Sequence, residues 1–264
     1  MSTPHPDHDD AAGIRHDDAA GADRDDAAAA PRRPDERPPT TATPFADPDA
    51  AARYADGPRR LVPGLDALHR MTGLLLAEGA PDDARILVLG AGGGLELRHL
   101  AATQPGWRFH GVDPSGPMLM AAEQHLGDLA SRVRLQEGYV DDAPDGPYDG
   151  AVCLLTVHFL PEDERRRTLE ELRRRLAPGR PLVVAHHSIP GGSAEREAWL
   201  GRFAAFGISS GVPAGNAEQG LRAVGTKLPV LTPEDDERLL REAGFRDVGL
   251  FYAAFTFRGW VASA

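Results

Sequence analysis

The sequence predicts an α/β protein with a mostly parallel sheet, helices on both faces and a closing antiparallel hairpin. Three observations predict it. Short apolar runs alternate with helix-length segments from about residue 85 to 186. A glycine-rich turn, Gly90-Ala91-Gly92-Gly93-Gly94, joins the first run to the first of these helices. Two strand-like segments at the end of the sequence lie too close together for a crossover helix.

The elements follow in order. Leu65, Leu68, Met71, Leu74, Leu75 and Leu76 have helical spacing, so 64–78 reads as a helix packed on the core. Arg85 to Leu89 is a buried strand. A helix at 94–103, a strand at 107–112, a helix at 115–127 and strands at 132–137 and 148–155 come next. The charged helix 162–176 stops at Pro178-Gly179 and leads to a strand at 181–186. Residues 193–224 look helical but broken by Gly201, Gly207, Gly211, Pro213 and Gly215. Thr232 and Pro233 open a helix that ends at Gly244, and strands at 246–251 and 253–261 form the hairpin.

With 264 residues, the chain is long enough for one large α/β domain. The net charge of −11 is uneven: residues 1–50 hold 12 acidic side chains against 5 arginines. That segment repeats Asp-Asp-Ala-Ala three times and lacks bulky apolar residues, so 1–44 is expected to be a disordered tail. Residues 45–264 are expected to form the folded domain. Its mildly acidic balance argues against a nucleic-acid partner, and Glu residues interspersed through 162–176 read as a salt-paired outer face. One cysteine, Cys153, excludes an internal disulfide and a multi-cysteine zinc site. No metal is expected. No apolar run is long enough to span a bilayer and no secretory signal is evident, so the expected location is the cytoplasm. A homodimer is left open.

The chemistry concentrates at the glycine turn. Glycines let the backbone approach a ligand closely, and Asp113 ends the next strand 23 residues after Gly90. A carboxylate there can accept from both ribose hydroxyls, which points to an adenosine-type ligand. A dinucleotide fingerprint needs a third glycine where Leu95 stands, so a nicotinamide-dependent oxidoreductase is disfavoured.

The spacing Gly90-x-Gly92-x-Gly94 resembles motif I of class I S-adenosylmethionine (SAM) methyltransferases. Gly138-Tyr139-Val140-Asp141, Tyr148-Asp149-Gly150-Ala151-Val152 and Leu176-Ala177-Pro178-Gly179-Arg180 resemble that family's later motifs. The resemblance implies a Rossmann-like fold with a seven-stranded sheet, SAM as cofactor and methyl transfer to a small-molecule acceptor. It implies a cofactor site of Gly90, Ala91, Gly92, Gly94, Asp113, Pro114, Met118, Tyr139, Val140 and Leu155. Val62-Pro63-Gly64, Thr156-Val157-His158-Phe159-Leu160-Pro161 and the aromatic ending from Ala243 resemble the carboxy-SAM synthase group. Such an enzyme would consume prephenate and form no methylated product. A non-catalytic SAM-binding protein is the third reading.

One position departs from the family. Its members often carry an acid where Val88 stands, which helps hold the methionine amino group. Valine cannot do this, which leaves loop carbonyls or Glu96 to compensate.

A general base is needed only if the acceptor must lose a proton. His158 follows the fourth strand, where the acceptor site opens, and His186 ends the fifth, so both are candidate bases. Neighbouring strand residues point to opposite faces, so at most one of His186 and His187 faces the site. Arg59, His187, Arg222 and Tyr252 are the candidate substrate contacts, with residues 45–80 and 190–230 expected to cover the pocket. Glycines at 201–215 would suit a moving lid.

Overall fold

The computed structural model describes residues 56–264. The expected tail at 1–44 and the start of the domain at 45–55 lie outside the described residues. Strands β1 (Arg85–Leu89), β2 (Arg108–Asp113), β3 (Val133–Glu137), β4 (Gly150–Leu154), β5 (Pro181–His187), β6 (Arg246–Ala254) and β7 (Phe257–Ser263) form one sheet. Its order is β3-β2-β1-β4-β5-β7-β6, and β7 alone runs against its neighbours. The order reverses at β1 and β4, so a crevice opens beyond the carboxyl ends of these strands.

The helices are α1 (Asp56–Leu61), α2 (Leu65–Ala77), α3 (Leu95–Thr103), α4 (Gly116–Leu126), α5 (Glu162–Arg175), α6 (Ser193–Ser209), α7 (Ala214–Thr226) and α8 (Pro233–Glu242). Strands β4 and β5 are buried on both faces, as central parallel strands must be. Ile86, Val88, Val152 and Val183 pack on one side with Leu68 and Leu76 of α2, Leu100 of α3 and Phe203 of α6. Leu87, Cys153, Leu182 and Val184 pack on the other side with Leu169 and Leu172 of α5 and Leu239 of α8.

Local chemistry sets the boundaries. The Ser115 hydroxyl caps α4 by accepting from the Met118 N–H, and Thr232 caps α8 by accepting from that of Asp235. The terminal hairpin is present, but its turn falls at 255–256, so β6 extends to Ala254. The insert breaks only at 210–213. Gly201 and Gly207 lie inside α6, and Gly215 lies inside α7. Gly207 sits against Leu61 of α1, and such packing outweighs the roughly 1 kcal/mol that glycine costs a helix.

The charged helix α5 also differs from a purely solvated face. Arg165 and Arg175 are each only 1% exposed. Arg165 pairs with Asp236 of α8 at 2.5 Å and donates to the Pro229 carbonyl at 2.9 Å, which clamps two helices together. Arg175 donates to the carbonyls of Asp141 and Ala143 and pairs with Glu171. Its outer neighbours do form surface pairs, such as Arg174 with Asp145 at 2.9 Å.

Candidate functional site

The glycine turn leaves β1 at its carboxyl end. The N–H groups of Gly90 and Ala91 both donate to the Val112 carbonyl in the neighbouring strand, and that of Gly93 donates to the Met118 carbonyl. Gly90 adopts φ 80°. A Cβ there would come within 1.9 Å of the Thr156 hydroxyl, so only glycine fits. A Cβ at Gly92 would meet Asp113 Oδ2 and Met118 Cβ, each at 2.8 Å.

Asp113 is tied to this turn. One carboxylate oxygen accepts from the Gly92 N–H at 3.0 Å, and the other accepts from the Ser115 N–H at 2.9 Å. Burial raises its pKa, against the pull of those two donors, and the charge of Glu137 adds to the rise. The carboxylate is thus fixed in orientation beside the glycine cradle. Met118 is buried under the turn, and Pro114 lies between Asp113 and the capping Ser115.

Beyond β3, Tyr139 precedes a short helical turn, Val140–Asp142, and its N–H donates to Asp142 Oδ2 at 2.7 Å. Val140 is buried. The Arg175 guanidinium grips this turn from behind through Asp141 and Ala143, a role that nothing in the local sequence marks. Leu155, just past β4, has φ 56°, an uncommon left-handed conformation for a side-chain-bearing residue. Its N–H donates to the Ala185 carbonyl at 2.6 Å. The ten expected cofactor residues therefore fall on four neighbouring segments, at the carboxyl ends of β1, β2, β3 and β4.

The histidines converge as well. The His158 and His187 rings lie 4.9 Å apart, and those of His158 and His186 lie 6.4 Å apart. His158 Nδ1 accepts from the His187 backbone N–H at 3.3 Å, which leaves the proton of the neutral ring on Nε2. His187 stacks on Phe257 at 4.1 Å and meets Phe203 edge-on, so it faces α6. His186 faces the other way, with Nε2 3.8 Å from Asp236 and its ring 5.5 Å from Trp260. The opposed faces match strand geometry.

Burial holds all three rings below their usual range, that of His187 down to about 3. The unfolded chain takes up protons near the ordinary value of 6.5, whereas folded His187 resists until about 3. Its contribution to stability is complete above about pH 6.5 and is lost progressively as pH falls toward 3. Urea denaturation across this range should show that decline, and His187→Gln should flatten it. Equal slopes for variant and wild type would contradict this account.

The other candidates are dispersed. Arg59 is exposed in α1, 3.9 Å from Asp66, and Arg222 is exposed in α7, 3.8 Å from Glu218. Tyr252 is buried and donates to the Pro63 carbonyl at 2.5 Å, which fixes β6 to the start of α2. Arg60 donates to Gly211 at 3.4 Å, linking α1 to the turn between α6 and α7. Of the tryptophans, Trp107 and Trp260 are buried, while Trp199 is partly exposed with the Arg202 guanidinium 4.3 Å from its ring. Among the described residues, no group of three or more His, Cys, Asp or Glu is placed to hold a metal ion. No described helix is long and apolar enough to cross a membrane.

Residues 87–180 match the family described as Methyltransferase domain, from β1 to the turn before β5. This segment is similar to methyltransferase domains. The curated carboxy-S-adenosyl-L-methionine synthase of Chromohalobacter salexigens is 29% identical over 221 residues, covering 82% of each chain. A SAM-dependent methyltransferase from Aquifex aeolicus superposes with a TM-score of 0.56 at 19% identity, covering 82% of this chain and 98% of that one. Human N-acetylserotonin methyltransferase in complex with SAM gives 0.57 at 16% identity and 85% coverage of this chain. The chain spans only 59% of that human enzyme's length. The structural likenesses establish the fold. The residues of the glycine turn fit SAM: a cradle that a Cβ would fill, a carboxylate held in place by two backbone donors, and no third glycine for a pyrophosphate.

Proposed function

We propose that this methyltransferase domain transfers a methyl group from SAM to a small-molecule acceptor in the cytoplasm. The observation that carries the reading is the glycine turn locked between Thr156 and Asp113, within the segment that matches methyltransferases. Gly90, Ala91, Gly92 and Gly94 hold the amino-acid end of the cofactor, Asp113 with Pro114 holds the ribose, and Met118, Tyr139 and Val140 flank the adenine. Leu155 lines the path to the acceptor. When bound, SAM supplies an electrophilic methyl group. The protein aligns the acceptor and excludes water.

The cover consists of α1, α2, α6 and α7. Phe203 of α6 meets His187, which supports a substrate-side role for His187. Arg59, Arg222 and Tyr252 lie on the covering segments and β6 as the remaining acceptor contacts. His158 serves as base only if its Nδ1 contact to His187 opens, because that lone pair is already engaged. His186 faces α8 and reaches the acceptor only through His158.

Calorimetric titration with SAM, S-adenosylhomocysteine and NAD tests the cofactor. The adenosyl sulfur ligands should bind and NAD should not. Asp113→Ala should weaken both adenosyl ligands by about 10- to 100-fold, the range for a hydrogen-bonded charged group. Transfer of labelled methyl from SAM to a panel of small acceptors then tests the reaction. The resemblance to carboxy-SAM synthases supports a second reading, since the chain covers 82% of that relative. In that case incubation with SAM and prephenate would yield a cofactor heavier by one carboxyl group, with no label transferred.

A further inference from the structure

A chain of polar side chains crosses the sheet on the face covered by α5 and ends on the turn Val140–Asp142. The Gln136 amide of β3 lies 2.5 Å from the Asp142 carbonyl and 2.9 Å from His110 Nε2 of β2. His110 Nδ1 lies 3.0 Å from the hydroxyl of Tyr148, which precedes β4. His110 is 7% exposed and Tyr148 1%.

One backbone group fixes the direction of all three bonds. A carbonyl only accepts, so the Gln136 amide nitrogen must donate to Asp142. The Gln136 oxygen then faces His110, so His110 Nε2 must carry the ring proton. Nδ1 is left as an acceptor, and the Tyr148 hydroxyl must donate to it. Burial lowers the His110 pKa, Gln136 pulls it back, and Arg134 and Arg85 lower it further, which keeps the ring neutral at neutral pH. Burial raises that of Tyr148, which keeps its proton. Bonds that all run in one sense polarise one another.

Both ends of the chain meet the end of α5. The Tyr148 N–H donates to the Arg175 carbonyl at 2.8 Å, while the Arg175 guanidinium takes the carbonyls of Asp141 and Ala143. Three successive carbonyls of the turn are thus held, the middle one through Gln136.

We propose that Tyr148, His110 and Gln136 are positioning residues for the cofactor: their one-way relay fixes the turn that flanks the adenine. This rests on the SAM reading above, in which Tyr139 and Val140 flank that ring. Gln136 is the link to the turn, and Tyr148 acts on it only through His110.

The test is calorimetry with S-adenosylhomocysteine, and urea denaturation, on the full chain, on Tyr148→Phe, on Gln136→Met and on the double variant. Nitrogen NMR reads the histidine rings, with His110 assigned by its absence from His110→Phe. His110 should show a protonated Nε2 and a bare Nδ1. Gln136→Met should weaken the ligand by about 3- to 10-fold and Tyr148→Phe by about 2- to 3-fold, the range for neutral hydrogen bonds. Independent losses would multiply, but the double variant should bind as Gln136→Met alone does. Multiplied losses overturn the proposal. So do variants that lose stability in urea yet bind the ligand as the wild type does, since the residues then only hold the fold. A bare Nε2 in the wild type refutes the sense of the relay. A wild type that binds no ligand refutes the SAM reading and the proposal with it, while the His110 signal still reports whether the relay runs in this direction.

Discussion

Asp236→Ala is expected to destabilise the protein by about 3–5 kcal/mol, the cost of leaving a buried charge without its partner. Arg165 and Asp236 are 1% and 2% exposed and meet at 2.5 Å. Without Asp236, the guanidinium keeps only the carbonyls of Pro229 and Leu160, at 2.9 and 3.4 Å. Those carbonyls solvate a cation but do not neutralise it. Joint replacement, Arg165→Met with Asp236→Leu, removes both charges together and should recover most of the loss. Urea denaturation of the three variants measures this. A single-variant cost below about 1 kcal/mol would place the pair among ordinary surface ion pairs and defeat the argument.

The second large effect is expected at Gly90. Gly90→Ala faces two penalties at once: a left-handed backbone at φ 80° and a Cβ within 1.9 Å of Thr156 Oγ1. Strain and overpacking of this kind together cost about 2–4 kcal/mol. The turn must shift to relieve the contact, and the Gly92 N–H that holds Asp113 shifts with it. SAM affinity should therefore fall by more than about tenfold, alongside the loss of stability. Thr156→Gly in the same chain removes the steric part and leaves the backbone strain of about 1–2 kcal/mol. Calorimetry and denaturation of the single and double variants separate the two terms. Full recovery in the double variant would show that φ carries no cost here, and no recovery would show that Thr156 is not the obstacle.

Much of the fold was legible because its signals are local. Strand-length apolar runs, the Thr232–Pro233 helix start and the glycine turn each encode their own conformation within a few residues. The turn and Asp113 were legible together because a strand, a helix and a second strand fix their spacing. Arg165 and Arg175 were not legible. Within 162–176 they look like their solvated neighbours, and Arg165 meets an acid 71 residues away. Nothing in a helix written almost wholly in charged residues says which charges turn inward; only Leu169 and Leu172 mark the buried side, and the arginines flank it. The glycines of the insert misled for the opposite reason. A glycine weakens a helix by an amount that one well-packed contact, such as Gly207 on Leu61, outweighs. The histidine cluster was half legible: alternation separated His186 from His187, but the fold alone brought His158 to both.

The placement of β7 sets the order in which the molecule can be finished. It is the last strand in sequence, yet it lies inside the sheet, with β5 on one side and β6 on the other. During synthesis β1 to β5 can pair as they emerge, but β5, a strand wholly buried in the finished fold, then presents an open edge of unpaired backbone groups. β6, although made earlier than β7, has no strand to join until residues 257–263 arrive. The nascent domain must therefore shelter an adhesive edge through the making of some seventy residues, from the end of β5 to β7. The helices of the insert and α8 are produced in that interval. They pack on the two faces of the sheet through Phe203 and Leu239, so the surface left open to other chains shrinks as they fold.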